Sequence, residues 1–128
     1  NKSLYNSKIG SIFEEELDEL LNTLKCNSVE VYASWFERTV KGQFHTPHTH
    51  GAYGYSAVCY VSYDNQEHSS TTFVSPFLNF ITGNTLEYQI VNAEEGMIVF
   101  FPSSIIHYTE PNNSDKERIV ASFNLKIS

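Results

Sequence analysis

Many short strand-like segments, each bounded by turn residues, constrain the fold of this chain most strongly. After Asn27 the segments alternate in the manner of β-strands and are separated by turns such as Asp64-Asn65 and Gly83-Asn84. Short strands at close spacing indicate a sandwich or barrel. A chain of 128 residues has room for one domain with a real core. The sequence therefore predicts a mainly β protein, a single domain over 1–128.

One amphipathic helix precedes the strands. Ser11 stands where an N-cap is expected, and Glu14 follows three residues later as in a capping box. Phe13 and four leucines then recur at helical spacing. Acidic residues cluster near the start, where the helix dipole favours them. We therefore predict a helix over about 11–26 that lies on one face of the sheet.

Two histidine-bearing segments contain the candidate metal ligands. His48 and His50 alternate in the first segment, and His107 ends the second. Alternating residues of a strand project to the same face, so His48 and His50 can bind one ion together. A third histidine from a distant strand completes a facial set with open coordination positions, as in non-haem iron oxygenases. The sequence thus predicts a metal site made of His48, His50 and His107.

Two other histidines receive no metal role. His68 lies in a polar loop, and His45 is separated from His48 by Pro47, which places it at the surface or behind the ligands. The alternative for the whole set is a chance surface cluster in which His107 is merely buried.

The last predicted strand has two distinct faces. One face is apolar and consists of Ile119, Ala121, Phe123 and Leu125, and the other consists of Arg118, Val120, Ser122 and Asn124. The strand is either half-buried with a polar solvent face or part of a jelly roll. In the jelly roll, the helix covers the outer face and the polar inner face lines a site. The histidine on the preceding strand favours the jelly roll.

Arg118 has two interpretations. It forms a surface ion pair with Asp115 or Glu117, which would contribute little, or its guanidinium binds a ligand carboxylate in bidentate fashion. Ser122 lies on the same strand face and would donate a neutral hydrogen bond. In the second case, a metal and Arg118 hold the two ends of one dicarboxylate.

Six blocks in order carry a family resemblance: Ser34-Trp35, Gly42, His48-Thr49-His50, Ser56 to Tyr60, Gly96 to His107, and Glu117 to Asn124. With these blocks the chain resembles the 2-oxoglutarate/Fe(II)-dependent oxygenases of a phage and bacterial, prolyl-hydroxylase-like family, in a His-x-His variant. The resemblance implies a double-stranded β-helix, a cupin-like jelly roll, over about 29–127 with the N-terminal helix on its outer sheet face.

The same resemblance implies cofactors and a reaction. Fe(II) would be bound by the three histidines, and 2-oxoglutarate would be held through Arg118 with help from Ser122 and Tyr60. The implied activity is an oxygenase, most simply a hydroxylase of a small-molecule or peptidyl substrate.

The sequence also departs from the pattern of the family. His50 stands where most 2-oxoglutarate oxygenases have Asp or Glu, so the iron lacks an anionic protein ligand. Val120 replaces a serine or threonine, and Ala57 replaces a glycine.

A cupin-type metal-binding protein is the main alternative. The chain contains Gly42-x5-His48-x-His50 and Gly96-x5-Pro102-x-Ser104-x2-His107, but the glutamate expected shortly after His50 is absent from 52–55. Such a protein could be an isomerase, a dioxygenase independent of 2-oxoglutarate or a non-catalytic ligand binder. A third alternative is a metal-free binding or structural module that kept the fold. Arg118 and Ser122 discriminate, because a cupin needs no dicarboxylate clamp at these positions.

Composition limits the partners. A net charge of -7 argues against nucleic acid as a partner, and no segment is apolar enough to suggest a membrane span. Two cysteines without framework spacing are typical of a reducing cytoplasm. The short N-terminus leaves little room to shape a substrate site, so a homo-oligomer or a missing segment is expected to complete it.

Overall fold

The computed structural model describes residues 2–128 as two helices followed by eight strands. The helices are α1 (Lys2–Ile12) and α2 (Glu14–Leu24). The strands are β1 (Val29–Thr39), β2 (His45–His48), β3 (Tyr55–Ser62), β4 (Thr72–Leu78), β5 (Thr85–Gln89), β6 (Ile98–Pro102), β7 (Ile106–Thr109) and β8 (Arg118–Ile127).

The strands form two four-stranded antiparallel sheets. Their orders are β1-β8-β3-β6 and β2-β7-β4-β5. The chain passes repeatedly from one sheet to the other, as the strands of a double-stranded β-helix do. The predicted jelly-roll fold is therefore confirmed.

Strand β8 is buried on both faces because the molecule has two cores. Phe123 and Leu125 face outward and pack with Ile9, Leu17 and Leu20 of the helices. On the other face, Val120 packs between the sheets in a cluster with Val58, Tyr60 and Phe101. The sequence alternation of β8 therefore separates a helix-covered outer face from an inner face that looks into the jelly roll.

The N-terminal region differs from its prediction. The sequence predicts one helix over about 11–26, whereas the structure has two, and Ser11 lies inside α1 with its hydroxyl on the carbonyl of Ser7. Phe13 occupies the N-cap of α2 without a side-chain capping bond. The sequence pattern does not predict helix α1, because Ile9 is its one buried residue and the helix therefore has no apolar stripe.

Helix α1 is held instead by tertiary contacts with β1, including a 2.8 Å hydrogen bond from Ser34 to Asn6. Within residues 2–128, neither helix has the length and apolar character needed to cross a membrane. Cys26 and Cys59 are both free thiols.

Candidate metal and carboxylate site

Three histidines meet between the two sheets. Ligand nitrogens of His48, His50 and His107 all lie within 4.8 Å of one another. The Nε2 atoms of His50 and His107 are 3.1 Å apart. Two nitrogens bound about 2.1 Å from one ion at adjacent coordination positions lie about 3 Å apart. The spacing of the imidazoles therefore suits a single metal ion.

Short strands and a turn position these ligands. β2 and β7 pair with His48 opposite His107. His50 lies beyond the end of β2, and its backbone N–H donates to the Ser103 carbonyl at 2.9 Å. The sequence thus places His48 and His50 correctly as neighbours, although the second is held by a turn rather than by strand alternation.

Backbone carbonyls orient two of the rings. His48 Nδ1 donates to the Thr46 carbonyl at 2.6 Å, and His107 Nδ1 donates to the Ile105 carbonyl at 3.0 Å. A proton on Nδ1 leaves Nε2 with a free lone pair, which is the form that binds a metal. His48 and His107 therefore each have their tautomer fixed by a residue two positions earlier.

The rings lie in an apolar, largely dry surrounding. His107 is 4% exposed and contacts Phe101 and Phe73, while His50 lies against Trp35. Burial, together with the neighbouring imidazoles, lowers the pKa of His50 from 6.5 to about 4. Burial also lowers the pKa of His107. Both rings are thus kept neutral near pH 7, as metal ligands must be.

Arg118 is buried, and part of its hydrogen-bonding capacity is unused. The residue is 4% exposed, and its Nε and Nη2 atoms have no hydrogen-bond partner. Its guanidinium carbon lies 5.3 Å from the ring centre of Tyr60 and 6.0 Å from that of Tyr63. Burying a charge without a partner is costly. The guanidinium is therefore ready to bind an anion.

Of the two interpretations of Arg118, the surface ion pair with Asp115 or Glu117 is not observed. Asp115 pairs with Lys41 at 3.0 Å, and Glu117 pairs with Arg38. Among residues 2–128, Arg118 takes part in no ion pair. The two acidic neighbours in sequence point to other cations because Arg118 faces the interior.

A family model described as "Putative 2OG-Fe(II) oxygenase" matches residues 33–124. The chain belongs to this 2-oxoglutarate/Fe(II) oxygenase family. The matched range includes all three histidines and Arg118. The cofactors predicted from the sequence, Fe(II) and 2-oxoglutarate, are those that give the family its name.

Solved structures share the fold of this family member at low sequence identity. A Pseudomonas putida prolyl-4-hydroxylase is 20% identical, with a TM-score of 0.54, over 81% of this chain and 54% of its own. A Burkholderia pseudomallei oxidoreductase of the 2OG-Fe(II) oxygenase family is 12% identical, with a TM-score of 0.59, over 77% and 45%. HygX from Streptomyces hygroscopicus, solved with nickel and 2-oxoglutarate, is 13% identical, with a TM-score of 0.62, over 91% and 67%.

The chain spans about half the length of the first two of these structures. A search of curated protein sequences gives no significant match. The structural similarity therefore establishes the fold, and the family model establishes the membership.

In this oxygenase-family member, Arg118 and Ser122 line the same cavity as the three histidines. The volume of the cavity is only about 20 Å³. Side chains around it must therefore shift to admit a molecule as large as 2-oxoglutarate.

Tyr60 reaches the site indirectly. Its hydroxyl is 2.9 Å from the Thr71 hydroxyl and accepts the Thr71 backbone N–H at 3.0 Å, so it is occupied within the core. The face of its ring lies against Arg118. The structure thus places Tyr60 beside the guanidinium rather than on the cavity surface.

Sequence reasoning did not single out two residues of this candidate site, Tyr63 and Glu37. Tyr63 contributes a second aromatic face to Arg118, and Glu37 lines the cavity. The alternation of Glu37 with Trp35 on β1 is a signal that could have placed Glu37 on the inner face. Tyr63 follows a register irregularity at the end of β3, so alternation gives no guide to its direction.

Proposed function

We propose that this protein is an Fe(II)- and 2-oxoglutarate-dependent oxygenase, a hydroxylase of a peptidyl or small-molecule substrate. His48, His50 and His107 would hold Fe(II), and Arg118 would bind the far carboxylate of 2-oxoglutarate. The observation that carries the proposal is the buried guanidinium of Arg118, which forms no ion pair within residues 2–128, on the same cavity as three converging imidazoles.

The two ends of the cavity suit the two ends of one dicarboxylate. Three protein ligands leave coordination positions for a cosubstrate. A guanidinium offers two parallel N–H groups, which match a carboxylate in bidentate geometry. Ser122, on the same strand face as Arg118, would add a neutral hydrogen bond. Tyr60 and Tyr63 would hold the guanidinium in place through their ring faces.

The chain's own residues orient the reactants and exclude water. When bound, Fe(II) and 2-oxoglutarate would supply the oxidising chemistry with dioxygen as the oxidant: one oxygen atom would go to substrate, and the other would enter succinate as 2-oxoglutarate loses carbon dioxide. Trp35, Phe73 and Phe101 surround the imidazoles with apolar surface. Exclusion of water strengthens the electrostatic interactions inside the site.

The two other functions that the sequence left open explain less. A cupin-type metal protein requires the histidines but gives no reason for a buried Arg118 without a partner. A metal-free module gives no reason for either feature. The cytoplasmic location, the absence of a nucleic-acid partner and a homo-oligomer stay predictions.

Anaerobic titration of the Fe(II)-loaded protein with 2-oxoglutarate tests the proposal. We expect the weak visible metal-to-ligand charge-transfer band that forms when 2-oxoglutarate chelates iron, and its loss in Arg118→Ala. Iron binding without a band would favour the cupin-type protein. A protein that binds no iron would leave only the metal-free module.

A further inference from the structure

The proposed metal site has no negatively charged protein ligand. Its three ligands are all imidazoles, which are neutral when they bind a metal. A divalent ion and Arg118 together carry three positive charges, and 2-oxoglutarate supplies two negative charges. One positive charge in a largely buried space would remain without a counter-charge, and such a charge is costly.

Glu37 lies where this charge could be offset. Among the described residues that line the cavity, it is the only one with a carboxylate. It belongs to β1, which precedes the strand of His48 in the chain, and it pairs in register with Val120 of β8. Its side chain is 25% exposed, so solvent screens its charge only in part.

The carboxylate is held in a fixed position. Trp35 Nε1 donates to one oxygen at 2.8 Å, and His45 Nε2 lies 3.3 Å from the other. The Trp35 ring also contacts the ring of His50, with 5.4 Å between centroids. Trp35 therefore fixes Glu37 relative to a metal ligand.

Glu37 is close to the proposed ligands. Its carboxylate lines the same cavity as His50 and His107, and the Trp35 ring that binds it packs against His50. A carboxylate in this position would stabilise a positive ion bound between the rings. A purely structural role, in which Glu37 only orients Trp35 and His45, would require the hydrogen bonds but no charge.

We propose that Glu37 supplies the negative charge that the all-histidine site lacks. It does so through space, from a strand of the other sheet, as a positioning residue that raises the affinity of the site for a divalent cation. This inference rests on the proposed metal site. It predicts that metal affinity depends more on the charge of residue 37 than on the hydrogen-bonding geometry of its side chain.

Two substitutions separate charge from shape. Glu37→Gln keeps an oxygen for Trp35 and loses the charge, whereas Glu37→Asp keeps the charge and shortens the side chain. Co(II) affinity of the metal-free protein would be measured by calorimetry in mildly alkaline buffer. Co(II) is suitable because it binds nitrogen ligands and is stable in air.

We expect Glu37→Gln to weaken Co(II) binding about tenfold and Glu37→Asp to stay within about threefold of the parent protein. Glu30→Gln is the matched control, because Glu30 lies on the same strand, is exposed, and loses the same charge. It should stay within about twofold. Thermal unfolding of each metal-free variant reports whether it folds, and Glu37→Ala serves as a second charge-free variant.

Equal affinity of Glu37→Gln and the parent would overturn the inference while leaving the metal site intact. A loss in Glu37→Asp as large as in Glu37→Gln would overturn it too, because shape would then be the cause. Equal losses in Glu37→Gln and Glu30→Gln would point to net charge alone and refute a specific role. A parent protein that binds no Co(II) would refute both this inference and the proposed function.

Discussion

At the histidine end of the cavity, the ligands lie on or beside two four-residue strands, whereas at the arginine end Arg118 begins the ten-residue β8. His48 and His107 are oriented by carbonyls two residues earlier in the chain. Arg118 is surrounded by Tyr60 and Tyr63, more than fifty residues earlier. Local carbonyls therefore orient the rings that the β2–β7 pairing brings together at one end, whereas long-range aromatic packing surrounds the side chain at the other.

The two ends also differ in their effect on the stability of the ligand-free protein. At the histidine end, burial holds the pKa of His50 and of His107 below the ordinary value, which favours their neutral form. The guanidinium at the arginine end stays charged and lacks two hydrogen bonds. The arginine end thus destabilises the ligand-free protein, as functional sites commonly do. A bound anion would remove this destabilisation.

Replacing Arg118 by Met should have the largest effect, because it should abolish 2-oxoglutarate binding and yet stabilise the ligand-free protein. We expect 2-oxoglutarate binding to be lost, because no other cation lines the cavity among the described residues. The ligand-free protein should gain about 1–3 kcal/mol in its free energy of unfolding, because a buried unpaired charge is replaced by an apolar side chain. Calorimetry and urea unfolding measure the two effects.

Arg38→Met is the matched control for that substitution. Arg38 is exposed and paired with Glu117, so its loss should change stability by less than about 1 kcal/mol and leave 2-oxoglutarate binding intact. A less stable Arg118→Met protein would show that packing against the tyrosines outweighs the cost of the buried charge.

At the histidine end, His107→Gln should lower metal affinity by more than about 100-fold, because it removes one of three ligands. Loss of a residue that only hydrogen-bonds to a metal ligand already lowers affinity by about 10–100-fold. Tight 2-oxoglutarate binding should be lost with the metal, since the near end of the cosubstrate has no ion to chelate. Metal titration by calorimetry gives the affinity. His45→Gln provides the comparison, as His45 lies outside the ligand cluster; a similar loss there would show that the cluster is assigned wrongly.

A smaller, selective effect is expected from His68, to which the sequence gives no role. Its Nε2 donates to the Lys116 carbonyl at 3.0 Å, and its Nδ1 accepts the Asp64 backbone N–H at 2.9 Å. Lys116 lies two residues before Arg118, and Tyr63 donates its hydroxyl to the His68 carbonyl. His68 therefore ties together two segments of the arginine end.

We expect His68→Ala to weaken 2-oxoglutarate binding by about three- to tenfold and to cost about 1–3 kcal/mol of stability through the lost hydrogen bonds. Metal affinity should stay near that of the parent protein. The ratio of the two affinities is the measurement, and an equal fall in both would mean that the substitution disturbs the whole cavity.

The sequence predicts those parts of the molecule that a period or a motif encodes. The alternation of β8 assigns Phe123 to the outer core and Arg118 to the inner face, as observed. The order of the histidine blocks indicates the family and the jelly roll. The proximity of His48, His50 and His107 follows from that fold.

Features that depend on tertiary contacts could not be predicted in this way. Helix α1 has no apolar stripe and is stabilised by packing on β1. The missing ion pair of Arg118 depends on Asp115 and Glu117 turning toward Lys41 and Arg38. Burial decides which of several nearby charged residues form ion pairs, and a single sequence does not show burial.

The smallest expected effect is a pH dependence confined to the histidine end. In the unfolded chain His50 takes up a proton near its ordinary pKa of 6.5, whereas in the folded, metal-free protein its pKa is about 4. Between these values the unfolded state binds more protons, so stability that is fully present above 6.5 falls as the pH decreases toward 4. The lowered pKa of His107 acts in the same direction. Thermal unfolding of metal-free protein across this range should show the decrease, and His50→Gln should reduce it. An unchanged profile in His50→Gln would mean that His50 is solvated in the free protein, which would weaken the case for a dry histidine end.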